Sequence, residues 1–485
     1  MATIKHPDWA IKHRKPGTEL RLIRGKYYLY EYKTIYDKQN KKPKKITGKL
    51  LGRITEEGFR PSGIRKLERT MDNILYTKPH CKEYGVSYLV SKTFSKYTQV
   101  LQQNFPQHWK KILAIAYCRF VYHCPLKNIP FRLEQSFLMQ LINARAFNEK
   151  TATTVLHTIG GMHEKMLSYM KSFIKPGEYL LMDSTHVYSN SNMITLSRKG
   201  YNNQMDFDPQ FNLLYIYSAK THMPVYYRVL PGNIRDVKAF KNSLLEAGIT
   251  DAVIVADKGF YSKKNIELLE KQELKYIMPL KRDSNIINYE LLENNSFKQE
   301  ALYFEHEKRY IWYQKYNHEG LSLFLYLDET LKLKEEKDYL HRIDTHPESY
   351  SLEEYHKKRN WFGSITLLTN FTRKPAVDVF ETYKSRMAIE VLFDSMKNVL
   401  AADHTYMQNE QTLSGWMFIN HITLQWYQHI FIELKKNNLL KRYSVNDYIQ
   451  LLTDVKKIKI DDKWCLNEIT AQSQRMIEKS GLSIN

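Results

Sequence analysis

Residues 383–397 read Tyr-Lys-Ser-Arg-Met-Ala-Ile-Glu-Val-Leu-Phe-Asp-Ser-Met-Lys. They contain the pattern Tyr383-x2-Arg386-x3-Glu390-x6-Lys397. On an α-helix, at about 100° per residue, these four side chains fall within roughly 60° of one another. One face then carries a phenol, two cations and a carboxylate. Ile389, Leu392, Phe393, Met396 and Leu400 form an adjacent apolar stripe that predicts packing against a core. Such a face suits a metal ion held beside a phosphate, and equally suits a salt-bridged amphipathic helix.

Two stretches upstream favour the first reading. Tyr179-Leu-Leu-Met-Asp183 is a short apolar run ending on an acid, and Ala252-Val-Ile-Val-Ala-Asp257 is another, with Gly259 opening a turn. Such runs predict buried strands. A carboxylate at the end of a strand is held by a rigid sheet, although a strand-end Asp also starts turns and caps helices. Two such acids and a helix Glu form a hard-oxygen set suited to Mg2+ or Mn2+. Two such ions, about 4 Å apart, support in-line displacement at phosphorus.

With Asp183, Asp257 and Glu390 in this order, the chain resembles the DDE transposases of bacterial insertion sequences. Asp257-Lys-Gly-Phe-Tyr-Ser262 is similar to the block around their second Asp, and the Tyr383–Lys397 pattern matches the Y-R-E-K signature of the insertion-sequence-four group. The resemblance covers roughly residues 175–430. It implies an α/β, ribonuclease-H-like mixed sheet with a β-rich insertion, two Mg2+ ions (Mn2+ substituting) on the three carboxylates, and phosphate contacts from Tyr383, Arg386 and Lys397. It also implies double-stranded DNA partners, transposon ends and target, and a homodimer on DNA, because two ends must meet.

The intervening sequence agrees with a mixed sheet. Strands are predicted at Asn212–Ser218 and Pro224–Leu230, a helix from about Asn233, with Asp236 in a weak capping box, to Ala247, a helix at Lys263–Lys271 and a strand at Lys275–Pro279. The span from Asp257 to Glu390 is too long for a simple connection. Within it, Arg309–Lys315 and Leu321–Tyr326 flank Asn317-His-Glu-Gly320 as a hairpin. Asp328–Asp344 reads as a solvated helix or loop, and Gly363–Thr369 as a returning strand. Trp312 is a candidate for stacking on an unpaired base, or for packing on its own sheet.

The chain has 73 Lys and Arg against 52 Asp and Glu, a net charge of +21. Residues 1–76 carry 19 basic and 8 acidic residues, about half of that excess. This is an electrostatic footprint for nucleic acid. No apolar run reaches the roughly 18 residues of a membrane span. Leu20–Tyr32 and Ile46–Ile54 are predicted strands joined by the lysine-rich connector Tyr36–Lys45. Tyr88–Leu101, Trp109–His123 and Thr151–Phe173 are predicted helices, as are Trp416–Leu434, Val445–Val455 and Glu468–Lys479. Cys81, Cys118, Cys124 and Cys465 have no zinc spacing, and the N-terminus is no signal peptide, so a cytoplasmic, nucleoid-associated chain is expected.

The predicted organisation is a basic DNA-binding region at 1–80, a helical region at 81–174, a catalytic core at 175–280 and 363–430, a β-rich insertion at 281–362 and a helical C-terminal region at 431–485. The expected activity is metal-dependent cleavage and joining of insertion-sequence ends. The alternatives are a nuclease that cuts without joining, and a silent DNA-binding protein.

Overall fold

The structure is a computed structural model. It describes all residues except 1–5, 38–41, 63–79, 190, 192, 201–207, 235, 294–301, 461–462 and 482–485. The Lys-rich centre of the 36–45 connector therefore lies outside the described residues, as does Arg235, between the Asn233 and Asp236 of the expected capping box. The chain divides into two compact units, residues 1–80 with 458–463, and residues 81–457 with 464–485.

The first unit is a four-stranded antiparallel sheet, β1 (Thr18–Ile23), β2 (Lys26–Asp37), β3 (Lys42–Thr55) and β4 (Gly58–Pro61), in sequence order. Leu20–Tyr32 is thus a hairpin rather than one strand. Arg24 and Gly25 both take positive φ, 50° and 75°, the two-residue turn whose twist matches paired strands. Ala10, Leu29 and Ile54 form its small core.

The second unit opens with helices α1 (Gly85–Lys92), α2 (Ser95–Asn104), α3 (Trp109–Tyr122), α4 (Glu149–Gly160) and α5 (His163–Lys171). The predicted helix over 88–101 is broken at Thr93–Phe94, and that over 151–173 at Gly161–Met162.

The central sheet follows. Its strands are β5 (Glu178–Ser189), β6 (Pro209–Ser218), β7 (Met223–Pro231), β8 (Ala252–Ala256), β9 (Lys275–Pro279), β10 (Leu302–His306), β11 (Arg309–His318), β12 (Leu321–Asp328) and β13 (Ser364–Thr369). Two-residue strands at Arg198–Lys199 and His404–Thr405 bring the total to eleven. The order is β10-β11-β12-β13-β9-β8-β5-β6, with β7 on the far side of β6. β8 runs parallel to β5 and β9, while β5-β6-β7 is an antiparallel meander. Helices α6 (Asp236–Ala247) and α7 (Lys263–Lys271) form the crossovers into β8 and β9, as parallel strands require.

The strands of the 281–362 segment extend this sheet. β12 pairs with β13 from Ser322↔Thr369 to Leu327↔Ser364. The hairpin between β11 and β12 turns at Glu319 and Gly320, both with positive φ. The charged stretch after β12 is a helix, α8 (Glu329–Thr345), with none of its residues buried.

Three helices close the core: α9 (Ala376–Lys384), α10 (Met387–Asp394) and the long α11 (Glu410–Lys436), whose middle is buried. α4 and α11 cross backbone to backbone. A Cβ on Gly160 would overlap the Gln411 carbonyl, and one on Gly415 the Leu156 carbonyl, so both positions require glycine. No described helix is long and apolar enough to cross a membrane.

Candidate active site

Asp183 does not end its strand. β5 runs on to Ser189, paired with β6 through Thr185↔Leu213 and Val187↔Phe211. The apolar run stops at Met182 because the strand leaves the fully covered centre of the sheet there, while its hydrogen-bonded ladder continues. Asp257 directly follows β8, whose five residues are all buried. It stands before a short 3-10 turn, Lys258–Phe260, and its side chain makes no cap hydrogen bond there. The parallel register sets Ala256 beside Met182, so Asp257 follows as the neighbour of Asp183, one strand spacing of about 4.8 Å away.

The third acid comes from α10. Ile389, Leu392 and Phe393 of this helix are buried. The Phe393 ring meets that of Tyr215, 6.0 Å between centroids, and Tyr215 is the β6 residue opposite Asp183. This packing sets Glu390 near Asp183, in the middle of β5, and the end of β8.

The single helix expected over 383–397 is not formed. α9 ends at Lys384, Ser385 Oγ donates to the Thr382 carbonyl at 2.6 Å, and α10 starts after Arg386. A π-helical turn, Ser395–Val399, follows. The break directs Arg386 into the acids. Its Nη1 donates to Asp183 Oδ2 at 2.7 Å, and its Nη2 donates to Glu390 Oε1 at 2.8 Å and lies 3.8 Å from Asp257 Oδ1. One guanidinium therefore joins carboxylates from three segments. Burial alone would lower the Arg386 pKa; Asp183, Asp257, Tyr383 and Glu390 raise it, and the net shift is upward. The Arg386 guanidinium lies 5.9 Å from the Tyr383 ring centroid. Burial raises the Tyr383 phenol, with Arg386 opposing.

Lys397 and Trp312 stand apart from this cluster. Lys397 lies in the π-helical turn. Burial lowers its pKa, and the carboxylate that opposes this is Asp403. Trp312 sits on β11 between Tyr303 of β10 and Leu327 of β12, with its ring 5.2 Å from that of Tyr303. It packs in a small cluster with Leu327, Leu291 and Leu292. Four strand steps separate β11 from β8, about 19 Å across the sheet.

Arg119, which the sequence did not single out, supports the site from behind. This buried arginine on α3 donates through Nη2 to the carbonyls of Leu400 and Ala401 (2.8 Å to Ala401), and through Nε to Asn420 Oδ1 at 3.0 Å. It ties the segment after Glu390 to the helical block, and burial brings its pKa down to about 10. Its only sequence signal is one cation inside the apolar run Ile112–Val121.

The donor set is all carboxylate oxygen, which fits Mg2+ or Mn2+ in chemistry. In spacing, the acids face the guanidinium rather than one another, and among the described residues no three His, Cys, Asp or Glu groups stand at metal-holding separation. For an ion to take these oxygens, the Arg386 side chain has to turn aside.

Fold and site together define a mixed α/β protein with a three-carboxylate, one-guanidinium centre at the edge of its parallel strands. Residues 175–426, just over half the chain, match the Transposase DDE domain family, and the chain belongs to that family. No curated protein matches it. Among solved structures it is similar to the piggyBac transposase in a synaptic complex with hairpin DNA. That likeness has 12% identity, a TM-score of 0.39, and coverage of 71% of this chain and 70% of the other.

Proposed function

We propose that this protein is a DNA transposase that cleaves and joins the ends of an insertion sequence, with Asp183, Asp257 and Glu390 as its catalytic carboxylates. The observation that carries the reading is the convergence of these three acids on Arg386. The strand order β7-β6-β5-β8-β9, antiparallel and then parallel, supports a ribonuclease-H-like core. The Tyr383, Arg386, Glu390 and Lys397 spacing supports the insertion-sequence-four group.

The three carboxylates would hold two Mg2+ ions, with Mn2+ substituting, which when bound activate the attacking oxygen and stabilise the leaving one. The chain's own residues orient the DNA. Arg386, released from the acids, offers two parallel N–H donors to a phosphate. Tyr383 donates its hydroxyl to the same group, and Lys397 holds a neighbouring phosphate as a point charge. In the first step a water oxygen bonds to phosphorus at the element's end, the P–O3′ bond breaks, and a 3′-hydroxyl is left. In the second step the oxygen of that hydroxyl bonds to phosphorus in a target phosphodiester, the target P–O3′ bond breaks, the proton passes to the departing 3′-oxygen, and the element's end is joined to the target's 5′-phosphate. Two ends held together imply a homodimer on DNA, in the cytoplasm. Residues 1–80 are assigned to backbone gripping, and Trp312, in the 281–362 insertion, to stacking on an unpaired base.

Incubating the purified protein with end DNA, a supercoiled target and Mg2+ tests the assignment. Joined products are expected. Cleaved ends without joined products would make the protein a nuclease, and no cleavage with either metal would leave a silent DNA-binding protein.

A further inference from the structure

Two clefts adjoin on the helical block, far along α3 from Arg119. One, of about 410 Å³, opens at the start of α3 and is floored by Trp109 and Phe147, with Lys110, Lys111 and Arg145 at its rim. The other, of about 300 Å³, runs along the start of α4 past Lys150. Lys111 and Thr151 line both. Neither lining contains an aspartate or glutamate, in a chain that has 52 of them. Glu149, in the first turn of α4, is the acid next in sequence and lines neither cleft.

Some exposed cations elsewhere in the molecule are neutralised on their own helix. Arg342, Lys357 and Lys358 each pair with an acid one helical turn away. Lys111, Arg145 and Lys150 are exposed, and none has an ion pair among the described residues. Lys110 is fixed instead, its Nζ donating to the Asn143 carbonyl at 2.8 Å, which braces the wall of the first cleft. The positive field is felt locally. Burial, and then Lys111 and Lys165, lower the pKa of His108, which lines the second cleft.

We propose that these paired clefts bind the sugar–phosphate backbone of double-stranded DNA. The proposal rests on the reading that the protein acts on DNA and adds a place where the duplex is held away from the carboxylates. Duplex phosphates recur about every 3.4 Å of axis along each strand, so two adjoining clefts sharing Lys111 receive successive phosphates. The apolar floor of Trp109 and Phe147 meets deoxyribose faces, which an acidic peptide lacks. Backbone contacts of this kind set register and carry no sequence information. The site is rigidly joined to the core, because α3 carries Trp109 at its start and Arg119 ten residues on, about 15 Å along the helix.

The test is a salt titration of binding to a fluorescein-labelled end duplex, for wild type, for Lys111→Ala/Arg145→Ala/Lys150→Ala, and for Lys435→Ala/Lys436→Ala at the exposed end of α11. Each phosphate contact contributes about 0.9 to the slope of log K against log salt. The triple variant is expected to lose about 2 to 3 from the slope, and the α11 variant nothing. Arg145→Gln alone, an exposed loop change that leaves the helices intact, should lose about 1. Unchanged slopes in the triple and single variants, with wild type binding normally, would overturn the cleft assignment. In that case loss of cleavage in Asp183→Asn would leave the transposase reading standing. Wild type that fails to bind the duplex overturns both. Competition by polyglutamate as effective as by unlabelled duplex overturns DNA as the occupant in favour of an acidic protein.

Discussion

Two parts of the second unit withdraw carboxylates from water, and they do it in opposite ways. In the helical block Glu83 is buried and accepts hydrogen bonds from the Val86 and Ser87 backbone N–H groups, from Ser87 Oγ at 2.7 Å and from the Tyr117 hydroxyl at 2.5 Å. Its partners are neutral donors. Burial pushes its pKa up to about 7, against the pull of those bonds. Where β8 ends beside β5, Asp183, Asp257 and Glu390 share one cation, and the Glu390 side chain remains half exposed, at 53%. Glu83 is an internal cap for α1 with every bond satisfied by its own neighbourhood. The three acids are held by a single long side chain, that of Arg386. A shifted carboxylate by itself therefore does not mark a site; acids from distant segments meeting at an exchangeable cation do.

The comparison breaks most decisively at Asp183. Asp183→Asn keeps the shape and removes one charge, so end cleavage with Mg2+ or Mn2+ should fall by at least about a thousandfold, roughly 4 kcal/mol of transition-state stabilisation, while duplex binding persists. Wild-type cleavage by this variant would reduce the cluster to a structural element, as the Glu83 cap is. Arg386→Ala sharpens the contrast. It leaves three carboxylates facing one another with no cation, so Mg2+ should raise the melting temperature more in the variant than in wild type, and cleavage should fall about a hundredfold. Equal Mg2+ shifts in the two proteins would mean that Arg386 and the ion do not compete for the same oxygens.

How much of this was readable depended on whether a feature was local. Lys263–Lys271 and Lys275–Pro279 form at the residues that their patterns mark, because Ser262 caps the helix through the Asn265 N–H and the strand is a short apolar run. Asp257 was legible as a strand end because Gly259 turns the chain at once. The extension of β5 beyond Asp183 was not, since Ser184, Thr185 and His186 read as a polar loop until β6 is placed beside them. The break at Ser385 has no local signal: Lys384, Ser385, Arg386 and Met387 all tolerate a helix. What ends the helix is tertiary, the attraction of Arg386 to Asp183 and Asp257, acids far earlier in the chain. For the same reason a helical wheel over 383–397 placed Lys397 beside Glu390, whereas the kink and the π-helical turn leave it near Asp403. The hairpin of β11 and β12 was legible, and its pairing with β13 was not, because that contact is long-range.

Glu83 supplies the next largest effect, and its sign separates it from the site. A carboxyl whose folded pKa is about 7 binds its proton more tightly in the fold than in the unfolded chain, where the value is about 4.3. Its contribution is fully present below the unfolded value and is lost as pH rises to about 7. Glu83→Gln should flatten the stability profile over that window and leave the variant more stable than wild type above it, by an amount on the order of 3 kcal/mol. Denaturant melts at pH 5 and pH 8 give the answer. A variant destabilised equally at both would show that the hydrogen-bond geometry of the cap matters and its ionisation does not. Cleavage, once corrected for the folded fraction, should be unaffected.

The smallest effect belongs to Lys397, and it locates the boundary of the cluster. Lys397 makes no ion pair with the three acids among the described residues, and burial lowers its pKa with only Asp403 opposing. If its partner is a phosphate, Lys397→Ala should weaken binding of cleaved-end DNA by about tenfold, near 1.4 kcal/mol, and lower the salt slope by about 1. Metal affinity in the absence of DNA should not change. A loss of metal affinity without DNA would instead place Lys397 in the same charge network as Arg386. The contrast would then lie between a buried cap and one extended basic strip, in place of a buried cap and a compact centre with a separate phosphate contact beyond it.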